Sequence, residues 1–192
     1  MGRGHGSSRG GGGASGFRGD ASMEGYSAGL AKAVSGREAE IRNGDTEKLS
    51  IFDSTGKEVY RNDKGEKHSV TYDGSKAKDN ILTHNHPSGS SFSTDDVMGA
   101  VRNDVAEIRA VGSNRTYSLK RPKGGWGISE REAWRIHASE LMKQGARSER
   151  YIENYKGDKS VAKRRADAVF SHAANKRFAK RTGLIYSVTK TK

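Results

Sequence analysis

Large apolar residues concentrate in one stretch of this 192-residue chain, between Leu49 and Leu119. The chain as a whole is lean for a globular protein, with 32% hydrophobic and 30% charged residues. A chain of this length can fold one core-bearing domain with appendages, but not two domains of ordinary size. We therefore predict a single modest core within this stretch and polar extensions on both sides of it.

Composition divides the chain into three predicted segments. Residues 1–20 are rich in glycine with interspersed arginine and lack apolar anchors, which predicts a disordered tail. Residues 21–127 contain the apolar stretch and are predicted to form the folded core. Residues 128–192 have helical patterns and are predicted to form a basic helical extension.

The formal charge of +12 is distributed unevenly. Residues 129–192 contain sixteen Lys or Arg against seven Asp or Glu, whereas residues 21–128 contain sixteen against fifteen. Such a basic segment predicts an acidic partner, most commonly nucleic acid, although a solvated helical face explains the same charge equally well. The residues assigned to this contact are Lys163, Arg164, Arg165, Lys176, Arg177, Lys180 and Arg181.

Two absences narrow the function. The chain has no cysteine, which excludes disulfides, thiolate zinc sites and cysteine nucleophiles, so any metal must be held by His, Asp and Glu. No run approaches the ~20 apolar residues that span a bilayer, and the first residues lack a signal-peptide core. We therefore expect a protein without membrane contact, in a bacterial or phage-infected host cytoplasm.

Helical and strand-like patterns alternate along the chain and predict an α/β fold. The predicted helices cover residues 21–42, 93–103 and 160–180, with one more beginning at the capping box of Ser129 and Glu132. The predicted strands cover residues 49–53, 58–60, 69–72, 80–83, 105–111, 116–119 and, after a C-cap at Gly183, 184–186.

The C-terminal helices are expected to use specific apolar contacts. Trp126 and Trp134 are expected to anchor the first of them to the core, with Ile136, Leu141 and Met142 adding contacts. On the second, a buried stripe is predicted at Ala162, Ala166, Val169 and Ala173, with Phe170 beside it.

The predicted strand at residues 80–83 leads directly into His84-Asn85-His86-Pro87. Residues two apart in an extended segment point to the same side, so His84 and His86 can direct two imidazoles at one metal ion while Asn85 faces away. Pro87 then forces the chain out of the strand. This spacing predicts a metal site at the end of the strand.

A third ligand can come from the helix that follows. The glycine- and serine-containing residues 88–91 let the chain fold back, and Ser93 can cap a helix whose start approaches the two histidines. Asp95 or Asp96 can then supply a carboxylate. Two histidines and one carboxylate with an open fourth position are typical of a catalytic zinc site rather than a structural one.

Residues 83–89, Thr-His-Asn-His-Pro-Ser-Gly, followed by Ser93 and Asp96, resemble the signature of the JAB/MPN (JAMM) metalloproteases, especially its RadC-type form. Similar segments occur in phage head-morphogenesis proteins and associated toxin-like modules. The resemblance covers roughly residues 46–119, and the spacing from Pro87 to Ser93 is one residue shorter than usual for the family. It implies a small mixed sheet flanked by helices, with cytidine-deaminase-like layering, a Zn²⁺ ion, and hydrolysis of a peptide or isopeptide bond.

The resemblance also assigns roles to residues. It implies that His84, His86 and Asp96 are the zinc ligands and that Ser93 hydrogen-bonds the developing oxyanion. The family uses a glutamate at the start of an earlier core strand as general base. Glu47 fits that place best, and the alternatives are Glu40 and Glu38.

Three functions stay open on the sequence. The first is a zinc-dependent hydrolase of JAMM type acting on a protein or peptide; the second is a metal- or histidine-dependent, toxin-like nuclease, which the basic segment favours. The third is a non-catalytic JAMM-like binding module of a phage or mobile element, which the shortened spacing leaves open. The histidine motif can also be a solvated polar turn. His68, His137 and His172 lack partners at ligand spacing and are expected at the surface or in helix packing.

Overall fold

The computed structural model describes residues 23–191, and the predicted tail at residues 1–20 lies outside them. It is a mixed α/β fold with one six-stranded sheet and four helices. The strands are Leu49–Phe52 (β1), Glu58–Asn62 (β2), Ile81–Asn85 (β3), Glu107–Val111 (β4), Arg115–Lys120 (β5) and Ile185–Lys190 (β6). The helices are Ala28–Ile41 (α1), Thr94–Arg102 (α2), Glu130–Asn154 (α3) and Lys159–Thr182 (α4).

The strand order places β3 inside the sheet. The order is β2-β1-β3-β4-β5-β6, and every neighbouring pair is antiparallel except β3 and β4, which are parallel and are connected through α2. His84 lies opposite Leu49 of β1 and Ala110 of β4. The histidine motif therefore ends a strand that is hydrogen-bonded on both sides. Carboxyl ends of parallel strands are the usual place for ligands in such sheets.

One face of the sheet carries the larger apolar core. Alternate residues of the strands point to this face, where they pack against α2, α3 and α4. The buried residues of this cluster include Leu49, Ile51, Leu82, Ile108, Ala110, Tyr117 and Leu119 from the strands, with Val97, Ala133 and Phe178 from the helices. His84 shares this face because it follows Leu82 by two residues.

The opposite face packs against α1 and is largely polar. Arg109 of β4 is fully buried and donates to Glu38 of α1 at 2.6 Å and to Glu107 at 2.6 Å. Glu107 also accepts from Tyr26 Oη at 2.5 Å and from Ser118 Oγ at 2.7 Å. Buried charges are tolerated when they are paired and hydrogen-bonded, and this network meets both conditions.

Residues 69–72 do not form the predicted strand. Their backbone pairs with no strand of the sheet, and the segment instead crosses in front of the end of β3. Val70 and Tyr72 pack their side chains on the core, and Tyr72 Oη accepts from Asn103 Nδ2 at 3.0 Å. Alternating apolar residues here serve side-chain packing, which sequence patterns do not distinguish from strand pairing.

The predicted apolar contacts of α3 and α4 are partly wrong. Trp126 is buried, but Trp134 is 53% exposed and Met142 78% exposed, because α3 buries a different stripe. That stripe consists of Ala133, His137, Glu140 and Gln144. On α4 the buried residues follow a spacing of four, so Val169 is exposed and Ala174 replaces Ala173; they are Ala162, Ala166, Ala174, Asn175, Phe178 and Ala179.

The start of α3 and the end of α4 confirm the predicted capping residues. Ser129 and Glu132 form the predicted capping box, and Gly183 ends α4 with a positive φ of 72°. The chain then enters β6, which pairs along its whole length with β5. None of the helices in residues 23–191 combines the length and apolar character needed to cross a membrane.

We predict that the buried charge network is essential for stability. Arg109→Leu should lower the free energy of unfolding by about 3–5 kcal/mol, because Glu38 and Glu107 would remain buried without a counter-charge. The measurement is urea unfolding followed by circular dichroism. Arg131→Leu, at an exposed site on α3, is the control and should change stability by no more than about 0.5 kcal/mol. Equal effects of the two substitutions would contradict this account.

Candidate metal centre

Three side chains from two elements converge at the carboxyl end of β3. His84 Nε2 lies 2.9 Å from His86 Nε2 and 3.3 Å from Asp96 Oδ1, and His86 Nε2 lies 3.4 Å from Asp96 Oδ2. A tetrahedral zinc ion with bonds of about 2.0–2.1 Å holds its ligand atoms roughly 3.3–3.4 Å apart. The two His–Asp separations match this spacing, and the His–His separation is shorter. These three residues could hold a metal ion.

The start of α2 fixes the carboxylate. Ser93 is the N-cap, and its Oγ accepts from the Asp96 backbone N–H at 3.1 Å. The Asp96 carboxylate in turn accepts from the Ser93 backbone N–H at 2.7 Å and from Ser93 Oγ at 2.8 Å. This reciprocal capping box holds Asp96 in place, whereas Asp95, the other candidate, is exposed and lies outside the converging group. In this arrangement the Ser93 hydroxyl orients a ligand.

The loop between β3 and α2 is held from several sides. Gly89 has a positive φ of 75°, and its carbonyl accepts from Tyr117 Oη at 3.2 Å. Ser91 N donates to Ser171 Oγ of α4 at 2.9 Å, and Ser91 Oγ lies 3.0 Å from Tyr186 Oη of β6. The C-terminal segment therefore contacts the metal loop directly, a connection that the sequence pattern did not reveal.

A hydrogen bond orients one of the two imidazoles. His86 Nδ1 lies 3.1 Å from the Ser90 carbonyl oxygen, to which it donates, so Nε2 is directed at the shared point. Carbonyl partners of this kind are typical of histidines that bind metals. His84 Nδ1 is buried and has no hydrogen-bond partner among the described residues. The orientation of His84 thus depends on its place in the sheet.

The electrostatics of the group favour a cation. Burial alone would raise the pKa of Asp96, but the charges and hydrogen bonds of His84 and His86 outweigh it and hold the pKa well below its usual range. Burial alone would lower the pKa of His86, yet the hydrogen bond and charge of Asp96, with the charge of Glu47, raise it to about 9. A metal ion bound at Nε2 must displace the proton that these carboxylates stabilise.

Glu47 lies beside the triad. Its Oε1 is 4.0 Å from His86 Nε2, and its side chain is largely buried just before β1. Burial raises the pKa of this carboxyl, a shift that the charges of His86 and His84 oppose and the charge of Asp96 reinforces. A carboxylate beside a metal site is placed to accept and return a proton.

The two alternative glutamates lie elsewhere. Glu38 is buried under the opposite face of the sheet, where it pairs with Arg109 and accepts from Thr83 Oγ1 at 3.2 Å. Glu40 is exposed and pairs with Arg37 at 2.8 Å. The structure therefore brings only Glu47 of these three glutamates to the converging group.

Asn85, which faces away from the metal ligands, positions Glu47. Its Oδ1 accepts from Lys48 N at 2.7 Å, and its Nδ2 donates to the Thr46 carbonyl at 3.0 Å. The residues on either side of Glu47 are thus tied to the residue between the two histidines. Gly65 packs against the same segment, since a Cβ there would lie 2.2 Å from the Glu47 carbonyl oxygen.

The triad opens into a cavity of about 350 Å³. One wall is apolar, formed by Leu49, Leu82 and Ile108 of the sheet with Val70 and Tyr72 of the crossing segment. The polar lining residues are Glu47, His68, Ser69, His84, His86, Ser88, Ser90, Ser93, Asp95 and Asp96. A cavity that combines an apolar wall with a few convergent polar groups is the usual form of a binding site for a small ligand or a substrate segment.

The remaining histidines occupy surface and packing positions. His68 is exposed at the rim of the cavity. His137 is buried, with Nε2 3.0 Å from Asn175 Oδ1 and Nδ1 3.1 Å from Thr94 Oγ1. His172 is half-buried, and its Nδ1 lies 2.9 Å from Tyr186 Oη. None of them belongs to the converging metal-binding group.

All seven basic residues assigned to a nucleic-acid contact are exposed on α4. They form two groups along the helix, one at residues 163–165 and one at residues 176–181, separated by three helical turns. Arg181 pairs with Glu140 at 2.6 Å, and Arg165 donates to Tyr155 Oη at 3.1 Å. The side chains without such a partner among the described residues are Lys163, Arg164, Lys176, Arg177 and Lys180.

Comparison of the chain with protein-family models, with curated proteins and with solved structures gave no match. The resemblance to the JAMM signature therefore stays a prediction.

We predict that the purified protein binds about one divalent ion per chain. His84→Gln, His86→Gln and Asp96→Asn should each weaken metal binding at least about 100-fold, because each removes one of three ligands. Calorimetric titration of chelator-treated protein with Zn²⁺ measures this. His68→Gln, at the rim of the same cavity, is the control and should bind like the unaltered chain. If the three ligand variants bound Zn²⁺ as tightly as the unaltered chain, these residues would not be the metal ligands.

We also predict that Asn85 controls the position of Glu47 rather than the metal. Asn85→Asp replaces the donor of the Thr46 contact with an acceptor, which should cost about 1–3 kcal/mol of stability. Zn²⁺ affinity should fall less than tenfold, since the ligands are untouched. Urea unfolding and calorimetric titration test the two statements. A variant of unchanged stability would show that the contact does not hold the Glu47 segment.

Proposed function

We propose that this protein is a zinc-dependent hydrolase of JAMM type that cleaves a peptide or isopeptide bond. The observation that carries the proposal is the convergence of His84, His86 and Asp96, with the carboxylate of Glu47 4.0 Å from His86 Nε2. Three protein ligands leave a coordination position open, which distinguishes catalytic from structural zinc sites. The JAMM signature in the sequence supports the same chemistry.

Each residue has a defined part in the proposed reaction. A zinc ion held by His84, His86 and Asp96 would supply a Lewis acid that polarises a carbonyl and lowers the pKa of water. Glu47 would accept a proton from the attacking water and return it to the leaving amine, because its carboxylate lies beside the triad. Ser93 holds Asp96 in the resting arrangement, and rotation of its hydroxyl lets it donate to the developing oxyanion.

The lining of the cavity favours a polypeptide over a nucleic acid. Among the described residues that line it, none is Lys or Arg, although the chain contains 35 of them. A phosphodiester substrate needs cationic side chains around its backbone. Glu47, Asp95 and Asp96 would instead repel phosphates. A neutral peptide or isopeptide bond meets no such repulsion.

The basic residues of α4 support a separate contact with an acidic partner. Lys163, Arg164, Lys176, Arg177 and Lys180 are exposed and lack ion-pair partners among the described residues. None of them lines the metal cavity. We propose that this side of α4 holds a nucleic acid or an acidic protein near the site, without presenting it for cleavage.

The decisive experiment measures hydrolysis by the zinc-loaded chain. Peptides prepared from a proteome by cleavage after glutamate, and a peptide with a lysine isopeptide bond, are incubated and analysed by mass spectrometry. New termini should appear with zinc and disappear with chelator. Glu47→Gln should slow their formation at least about 100-fold while zinc content stays unchanged, because only the proton acceptor is lost. Glu66→Gln is the matched control, because its side chain is exposed and its backbone carbonyl accepts from Glu47 N at 2.8 Å.

Other outcomes identify the rival functions. Metal-dependent cleavage of plasmid DNA or RNA, without cleavage of peptides, would establish the nuclease. Recovery of iron instead of zinc would contradict the proposed cofactor, because two histidines and a carboxylate also bind non-haem Fe²⁺. Zinc binding without hydrolysis of any substrate would favour the non-catalytic module.

A further inference from the structure

A second groove continues from the metal cavity towards the C-terminal helices. The groove has a volume of about 320 Å³ and runs between the metal loop and the α3–α4 pair. His68, Ser88 and Ser90 line both the metal cavity and the groove. Ser90 is also the residue whose carbonyl accepts from His86 Nδ1. A ligand that enters the metal cavity can therefore extend along the groove.

The groove contains one carboxylate, and Lys163, four residues earlier on α4, acts on it electrostatically. Asp167 of α4 is half-buried, and its carboxylate makes no hydrogen bond or ion pair with any described residue. Phe170 lies one turn further along α4 and also lines the groove. A carboxylate that makes no hydrogen bond and lies beside an aromatic ring suits a side chain with an apolar stem and a cationic end, as in lysine and arginine.

The inner wall of the groove carries an unsatisfied donor. Gln144 of α3 is only 2% exposed, and its Nε2 has no hydrogen-bond partner. Its Oε1 accepts from Arg147 at 3.5 Å, so the amide nitrogen is the atom left over. A buried donor without a partner is destabilising, and an accepting carbonyl of a bound polypeptide would satisfy it once the amide turns towards the groove.

The same wall contains a glycine that the fold does not require. Gly145 lies inside α3, where glycine is less favourable than alanine. A Cβ at this position would meet no atom within 4 Å, so no packing excludes a side chain. The absence of a side chain keeps the groove open beside Gln144.

We infer that this groove is a substrate subsite that binds a lysine or arginine residue flanking the scissile bond of a polypeptide. Asp167 pairs with the cationic end of that side chain, and Gln144 donates to a backbone carbonyl. The two connected cavities carry only acidic charges and histidines among the described residues, in a chain of formal charge +12. The inference rests on the proposed hydrolase, because it names the substrate class of the same site.

The test measures binding, so that it does not depend on turnover. Fluorescein-labelled peptides Gly-Gly-Lys-Gly-Gly and Gly-Gly-norleucine-Gly-Gly are titrated with the zinc-loaded, full-length Glu47→Gln chain, and anisotropy is followed. The lysine peptide should bind about tenfold more tightly than the norleucine peptide, as expected for a charge-assisted contact. Adding Asp167→Asn should abolish the difference. Adding Glu153→Gln, an equal charge change on the exposed part of α3, should preserve it.

A second variant tests the groove itself. Gly145→Leu should fill the groove and weaken both peptides at least about fivefold, while the melting temperature stays the same or rises because leucine favours the helix. Equal binding of the two peptides, a lysine preference that survives Asp167→Asn, or unaffected binding by Gly145→Leu would overturn the inference.

The two proposals fail separately. An Asp167-dependent lysine preference, in a chain that hydrolyses no peptide, would support the groove and refute the hydrolase. Zinc-dependent hydrolysis without any preference for lysine or arginine would support the hydrolase and refute the groove.

Discussion

The alternation of side chains along β3 is the constraint on which the site depends. The side chain of His84 lies on the face of the apolar core. The side chains of Thr83 and Asn85 lie on the opposite face, where they contact α1 and the segment that follows it. Because β3 is hydrogen-bonded on both sides, this alternation cannot slip by one residue without exposing a buried face. One strand thereby serves two purposes: one side brings His84 to His86 and Asp96, and the other ties down the segment that carries Glu47.

The charge distribution separates two kinds of surface. The outer side of α4 is basic and exposed, while the metal cavity and the adjoining groove hold carboxylates, histidines and neutral groups. Local structure holds the carboxylates of the metal cavity in place. Here a capping box holds Asp96, and the Asn85 contacts hold the segment of Glu47. The separation is consistent with one surface for an acidic partner and another for a peptide substrate.

The C-terminal segment completes the site instead of merely carrying charge. β6 extends the sheet next to β5. Ser171 Oγ of α4 accepts a hydrogen bond from Ser91 N in the loop between β3 and α2. A buried contact between His137 and Asn175 joins α3 to α4, and Asn175 Nδ2 also donates to the Phe92 carbonyl at 2.9 Å. These contacts link the two helices to the residues that immediately precede α2.

The sequence by itself determined the local directions of side chains. The period of two along a strand placed both histidines on one side, and the capping pattern placed Asp96 at the start of a helix. What only the tertiary structure decided depends on distant contacts. Because α1 packs on the opposite face of the sheet, Glu38 lies far from the triad and Glu47 lies beside it. The packing of α3 against α4 leaves Trp134 exposed and forms the groove. Periodicity reports the direction of a side chain, but the neighbour that it meets depends on how whole elements pack.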